Sequence, residues 1–267
     1  MTTKLSFRLM ALAALAVVGG SSFAAQTWTN ANLSNLCSPN VNTTSCGPGL
    51  SVSGYSTGTG TTNSPSTSTK FQNATVYDWG SGAGLGVVNS NENSSATGPH
   101  AVDNVNGIDA LLLNFSTASN LSSLTVGWNG VSNPSGVYND SDLSIFAWTG
   151  TSAPTVTSFG PSTLVAANSG WQMVGSWSNV TSTITTNSST YSSYWLISAY
   201  DSAYGSWTVG NDAFKVLAIS AKDCLAGNAC TPPTPGTRVP EPGTLALLGA
   251  AMLGMVSTRR KFKSSRS

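Results

Sequence analysis

The densest group of side chains able to do chemistry lies between Gly98 and Asp109 (GPHAVDNVNGID), where His100, Asp103, Asn104, Asn106 and Asp109 share one turn-rich loop ahead of an apolar run. A second group, Tyr138, Asn139, Asp140, Ser141 and Asp142, stands ahead of another. Asp and Asn oxygens are the hard donors that calcium takes. Neither group has the D-x-[DN]-x-[DN]-G order and closing Glu of an EF-hand loop. These side chains are therefore expected to cap turns by accepting local backbone N–H groups. Calcium is the alternative; no metal ligand is assigned and no cofactor is expected. His100 is the only histidine, and the chain holds ten acids. No G-x-S-x-G elbow occurs, and the glycine-dense Gly80–Gly86 does not follow G-x-G-x-x-G. General acid–base, serine-hydrolase and nucleotide chemistry are all poorly supplied, so no catalytic residue is assigned and no enzyme is expected. The aromatic stock is larger, with eight Trp and seven Tyr. Trp128, Trp148, Trp171, Trp177, Trp195 and Trp207 could stack on sugar rings, although a β-protein ordinarily buries such residues in its core.

The elements that would position these residues are strands. Leu50–Tyr55, Ala74–Trp79, Gly107–Phe115, Leu121–Trp128, Leu143–Trp148, Trp171–Trp177, Tyr194–Tyr200 and Phe214–Ser220 are short, rich in Val, Ile, Thr and aromatics, and bounded by Gly, Asn, Ser or Pro. Leu143, Ile145 and Ala147 alternate with Ser144, Phe146 and Trp148, giving one fully apolar face and one half-apolar face. Leu111-Leu112-Leu113 does not alternate, which predicts a strand buried on both sides. No mature segment sustains a 3.6-residue period. The predicted fold is all-β, a β-sandwich or jelly roll. Gln26–Lys70 is expected to be mostly long loops, with Ser56–Thr69 (STGTGTTNSPSTST) of low complexity.

Both ends differ from the middle. Residues 1–25 have the form of a signal peptide: Lys4 and Arg8, a short apolar helix over Leu9–Val18, then small residues near Ala24 and Ala25. The domain proper is placed at 26–221 and a Cys/Pro-rich linker (CLAGNACTPPTPGT at its centre) at 222–238. Export to an oxidising compartment suits four cysteines, Cys37, Cys46, Cys224 and Cys230. Three pairings are open, and the local ones, Cys37 with Cys46 and Cys224 with Cys230, are preferred. Basic residues crowd the ends. From Gln26 to Thr237 three lysines face nine acids, a net charge of −6. Such a domain repels phosphate backbones and anionic lipid and leaves neutral glycans, cations or proteins as partners.

The last segment, 239–263, has three parts in order: Val239-Pro240-Glu241-Pro242, an apolar stretch from Gly243 to Ser257, and the basic Arg259-Arg260-Lys261. As a helix the apolar stretch is about 22 Å long, short for a span of about 20 residues. The basic cluster would hold its end on the cytoplasmic side. This order closely resembles the PEP-CTERM sorting signal of Gram-negative surface proteins. The resemblance implies that Pro240-Glu241-Pro242 is recognised by an exosortase, a membrane-embedded cysteine transpeptidase, after transient anchoring in the inner membrane. Asp103-Asn104, Gly107–Phe115, Asn139–Trp148 and Tyr194–Tyr200 together resemble an exosortase-dependent surface-protein family, which implies a secreted all-β domain. The expectation is an exported surface or matrix protein, structural or adhesive in exopolysaccharide. The alternative is a carbohydrate-binding module with an aromatic site.

Overall fold

The structure is a computed structural model that describes residues 26–38, 41–58, 60–61, 64–89, 92, 100–224 and 230. The expected signal helix, most of the linker and the whole sorting segment lie outside the described residues. Among the described residues no helix is long and apolar enough to cross a membrane.

The strands are β1 (Thr27–Asn32), β2 (Thr43–Ser45), β3 (Leu50–Ser56), β4 (Gly60–Thr61), β5 (Ser64–Pro65), β6 (Gln72–Asp78), β7 (Leu85–Val88), β8 (Val102–Asp103), β9 (Asp109–Asn129), β10 (Leu143–Trp148), β11 (Trp171–Trp177), β12 (Thr183–Thr185), β13 (Ser192–Ala199) and β14 (Ala213–Asp223). Two four-residue helices, α1 (Leu33–Leu36) and α2 (Pro161–Leu164), interrupt them. The fold is all-β as expected.

β9 organises the sheet. Its first half, Asp109–Phe115, pairs with β3 on one side, and Ala110–Asn114 pairs with β13 on the other. Its second half pairs with β14 and β12. β14 in turn pairs with β1, β7 and β8. Because β3 leads through β6 to β7, the ladders β9–β3–β6–β7–β14–β9 form a closed hydrogen-bonded circuit. β13, β10 and β11 extend from it as an arm.

The arm and the first half of β9 are apolar on both faces. Leu111, Leu113, Phe115, Leu143, Ile145, Trp195 and Ile197 enter one core, shared with Leu124, Val216 and Ile219 of the β9–β14 ladder. Ala110, Leu112, Phe146 and Leu196 face a second core, closed by Phe71, Val156, Leu164 and Tyr204. Each fully buried Leu, Ile or Phe contributes about 1.5–3 kcal/mol, so a strand feeding two cores dispenses with alternation. The run Leu111-Leu112-Leu113 reflects this.

Three expectations require correction. The segment 26–70 is not mainly loop: it carries β1, α1, β2 and β3. Its strands pair with β14 and β9, which supply much of the apolar surface, and Thr44, Ser53 and Ser56 are buried among them, so pairing overrides weak local propensity. β14 also runs to Asp223, two residues into the segment read as linker. Gly107–Phe115 and Leu121–Trp128, read as two strands, merge into the continuous β9, which begins two residues later, at Asp109.

Cys37 caps the C-terminus of α1 and is bonded to Cys46, the preferred local pairing. Cys224 and Cys230 are disulfide-bonded too, and no cysteine is free among the described residues. The Cys37–Cys46 loop is short, so its loss is expected to cost about 2–3 kcal/mol. A Cys37→Ser, Cys46→Ser double variant should melt roughly 5–10 °C lower than the wild type; an unchanged melting temperature would contradict this.

Candidate functional site

The two polar groups singled out in the sequence meet at one end of the sheet, where β8 and the start of β9 approach β14. β8 pairs with β14 through Asp103 opposite Ala213. Asp109 opens β9 opposite Ser56, the last residue of β3. The turn between them needs Gly107, at φ +134°, since a Cβ there would lie 2.9 Å from the Gly58 nitrogen and 3.0 Å from Ser56 Oγ. Ile108 N–H donates to Thr57 Oγ1 at 2.9 Å, and Thr57 N–H donates to the Ile108 carbonyl at 3.0 Å.

Asp103, Asp109 and Glu92 converge here, with a carboxylate oxygen from each within 4.8 Å of the others. Asp103 and Asp109 are fully buried. Asp103 Oδ1 accepts from Val105 N–H at 3.0 Å, and Asp109 Oδ1 accepts from Asn89 Nδ2 at 3.4 Å. Glu92 Oε2 accepts from Asn89 N–H at 2.9 Å. The second oxygens of Asp103 and Asp109 are buried and have no hydrogen-bond partner among the described residues. Burial, then the neighbouring carboxylates, hold Asp103 and Asp109 well above the usual carboxylate range. Burial pushes Glu92 up to about 7. Tyr138 stands near enough for the same three acids to oppose its ionisation, after burial.

The second acidic group, Asp140, Asp142 and Asp212, also brings its oxygens within 4.8 Å, but its environment differs. Asp212 Oδ1 accepts from Asp142 N–H at 2.8 Å. Asp212 Oδ2 accepts from Asn104 Nδ2, and Asp212 N–H returns a bond to Asn104 Oδ1 at 2.9 Å. Asp142 Oδ1 accepts from Asn179 N–H and Asp140 Oδ1 from Ser141 N–H, each at 2.8 Å. These acids fasten turns and strand ends together, the role expected of Asp140 and Asp142. Asp212, which pushes up to about 8 through burial, is the member that the sequence reading missed. Glu92 was missed in the first group. Asp212 lies 70 residues beyond Asp142 and is brought in by the pairing of β14, whereas Glu92 lies between β7 and β8, outside the loop that the residues singled out.

His100 and the aromatics sort differently. Among the described residues neither ring nitrogen of His100 has a hydrogen-bond partner. The ring stacks on Trp79 at 5.7 Å between centroids and lies 5.4 Å from Tyr77. Lys215 Nζ sits 4.0 Å from the centroid of Trp79 and 4.8 Å from that of Trp128, and burial pushes it down to about 8. Burial and then Lys215 lower the His100 pKa, which favours the neutral ring. Of the six Trp named as stacking platforms, Trp195 and Trp171 are core residues, Trp148 packs beside the second core, and Trp128 lies under Lys215. Trp177 and Trp207 remain: they line a groove of about 430 Å³ with Ser178, Asn179, Thr181 and Ser182. Trp207 is 40% exposed.

The sorting residues Val239, Pro240, Glu241, Pro242, Arg259, Arg260 and Lys261 lie outside the described residues, but their motif is identified by comparison. Residues 238–261 match the family described as the PEP-CTERM protein-sorting motif. The chain thus carries the signal of an exported surface protein sorted by an exosortase, which is its processing partner. No curated protein and no solved structure matches the chain.

Proposed function

We propose that the domain carried by this signal is a non-catalytic structural or adhesive component of the cell surface or extracellular matrix, in contact with exopolysaccharide. The observation that carries the reading is the sorting motif at 238–261. After cleavage, the domain beyond the membrane has little charge and a surface of hydroxyls and amides, which suits neutral polymers. In this account residues 1–25 are removed on export, residues 222–238 space the domain from the membrane, and the short helix after Pro242 anchors it transiently in the inner membrane. The two apolar cores on either side of the β9–β13–β10 strands support a sandwich-type layering.

A glycosidase would need two carboxyl groups about 5–10 Å apart flanking a bound sugar. Here the carboxyl groups converge, but Asp103, Asp109 and Asp212 are fully buried, where no sugar ring reaches them. This favours a binding role over hydrolysis.

The groove at Trp177 and Trp207 favours a second reading, a carbohydrate-binding module, because it joins two indole rings to hydroxyl and amide donors. Affinity electrophoresis of the full chain through host exopolysaccharide tests both readings. Retention of the wild type is expected. Trp207→Ala should weaken retention roughly three- to tenfold if the groove is the site, as a ring contact of about 0.5–1.5 kcal/mol implies. Retention that survives Trp207→Ala assigns adhesion to the wider surface. Migration of the wild type unaffected by the polysaccharide would contradict both readings.

A further inference from the structure

We propose that Glu92, Asp103 and Asp109 form a binding site for a hard divalent cation, with calcium as the ion it takes. Three carboxylates from three segments, the β7–β8 connection, β8 and the start of β9, present oxygens within 4.8 Å of one another. Oxygens ringing a calcium ion at about 2.4 Å can lie up to about 4.8 Å apart. The donor set is oxygen alone, which suits calcium or magnesium and disfavours the softer metals that prefer imidazole or thiolate.

An acidic cluster by itself is no site, as the neighbouring group shows. There, Asp212 accepts through both oxygens, from Asp142 N–H and Asn104, Asp140 and Asp142 each accept one backbone N–H, and no oxygen of the three is buried without a partner among the described residues. In the first group the backbone and Asn89 satisfy one oxygen each of Asp103 and Asp109, and the other oxygen of each is buried and unpartnered. Leaving a buried carboxylate oxygen without a donor is costly, and two in one cluster, with no lysine or arginine paired to them among the described residues, is costlier. A divalent cation supplies what both oxygens lack and neutralises the like charges. Burial raises the pKa values of all three acids, and the neighbouring carboxylates raise those of Asp103 and Asp109 further, which agrees with a site short of positive charge. Calcium is favoured over magnesium because the donors come from separate segments at unequal burial. Calcium accepts six to eight oxygens in irregular geometry, whereas magnesium requires a regular octahedron. Bound there, the ion would tie the β7–β8 connection to the start of β9, and with it to the closed circuit of strands.

The test is thermal unfolding of the full chain, stripped with EDTA and then given calcium or magnesium chloride at 10 mM. Calcium should raise the melting temperature by about 5 °C or more, the shift expected when ligand stands near a hundred times its dissociation constant, and magnesium by less than half as much. Asp103→Asn and Asp109→Asn should each abolish the calcium shift, while melting no lower than the wild type in EDTA because each relieves repulsion. Asp212→Asn, in the hydrogen-bonded group, should keep the shift. Terbium gives a second readout that does not depend on melting: its luminescence, excited through nearby Tyr138, should appear with the wild type and be displaced by calcium. The proposal is overturned by no calcium shift, by an equal or larger magnesium shift, or by a shift that persists in both Asn variants. A shift lost only in Asp212→Asn would also overturn it by moving the ion to the other group.

Discussion

Replacing Pro240, Glu241 and Pro242 together with alanine should leave the chain unprocessed and held in the inner-membrane fraction. The tripeptide lies between the linker and the apolar stretch. Two prolines fix φ near −65° and remove two N–H donors, which disfavours taking the tripeptide into a regular helix. A carboxylate between them gives a processing enzyme a single charged handle. Alanine at all three positions removes both the shape and the handle and lets the helix extend N-terminally. Each recognition element worth about 1.4 kcal/mol changes turnover about tenfold, so losing several should reduce the processed form to a trace. Cell fractionation and immunoblotting with an antibody to the β-domain provide the readout. The domain should fold normally, because both described cores are built from residues between Trp28 and Ala221. A variant released as efficiently as the wild type would show that the match at 238–261 is not the operative signal.

The largest effect on stability is expected at Trp195. It is fully buried on β13, opposite Leu113 of β9 and Ala147 of β10, and it fills the first core. Its indole N–H donates to the carbonyls of Ser119 at 3.0 Å and Ser192 at 3.1 Å. Trp195→Ala therefore opens a large cavity and leaves both carbonyls without that donor. Truncations of this kind cost about 3–5 kcal/mol, and the unpaired acceptors add about 1 kcal/mol. Natural domains are stable by only about 5–15 kcal/mol, so the variant should melt roughly 10–15 °C lower or fail to fold. Trp195→Phe keeps most of the apolar volume and loses the donor, and should fall between the two. A Trp195→Ala variant within about 2 °C of the wild type would contradict the placement of this ring at the junction of β9, β13 and β10.

Much of this arrangement is legible in the sequence because burial on two faces leaves a mark. Leu143–Trp148 and Trp171–Trp177 have the boundaries that the residues suggest. β9 is harder to read, since Ser116-Thr117-Ala118-Ser119-Asn120 has the composition of a turn. It stays extended because its neighbours require it: Ser119 Oγ donates to Asp223 Oδ1 at 2.6 Å, and Asn120 Nδ2 donates to the Ser188 and Thr190 carbonyls. These are contacts across distant chain positions, invisible to local pattern. β1 and β2 are hidden for the same reason: their residues are polar and their apolar partners lie elsewhere.

The site divides similarly. Asp103, Asp109, Asp140 and Asp142 stand out by local density. Glu92 sits in a stretch of Asn, Ser and Gly with no signal of its own, and Asp212 reads in sequence as a turn residue. What separates the two acidic groups is their surroundings: Asn104 and two backbone N–H groups satisfy Asp212 and Asp142, whereas Asp103 and Asp109 each keep one buried oxygen without a partner among the described residues. The sorting signal is the opposite case. It needs no tertiary partner, so its three parts can be read in order from the chain itself.

The most direct test of the central claim is the intact mass of the protein recovered from its host, with and without the processing enzyme. The account expects loss of the first 24 or 25 residues in both strains, and loss of everything beyond about Pro240–Pro242 only where the enzyme is present. A C-terminus still ending at Ser267 in both strains would contradict it.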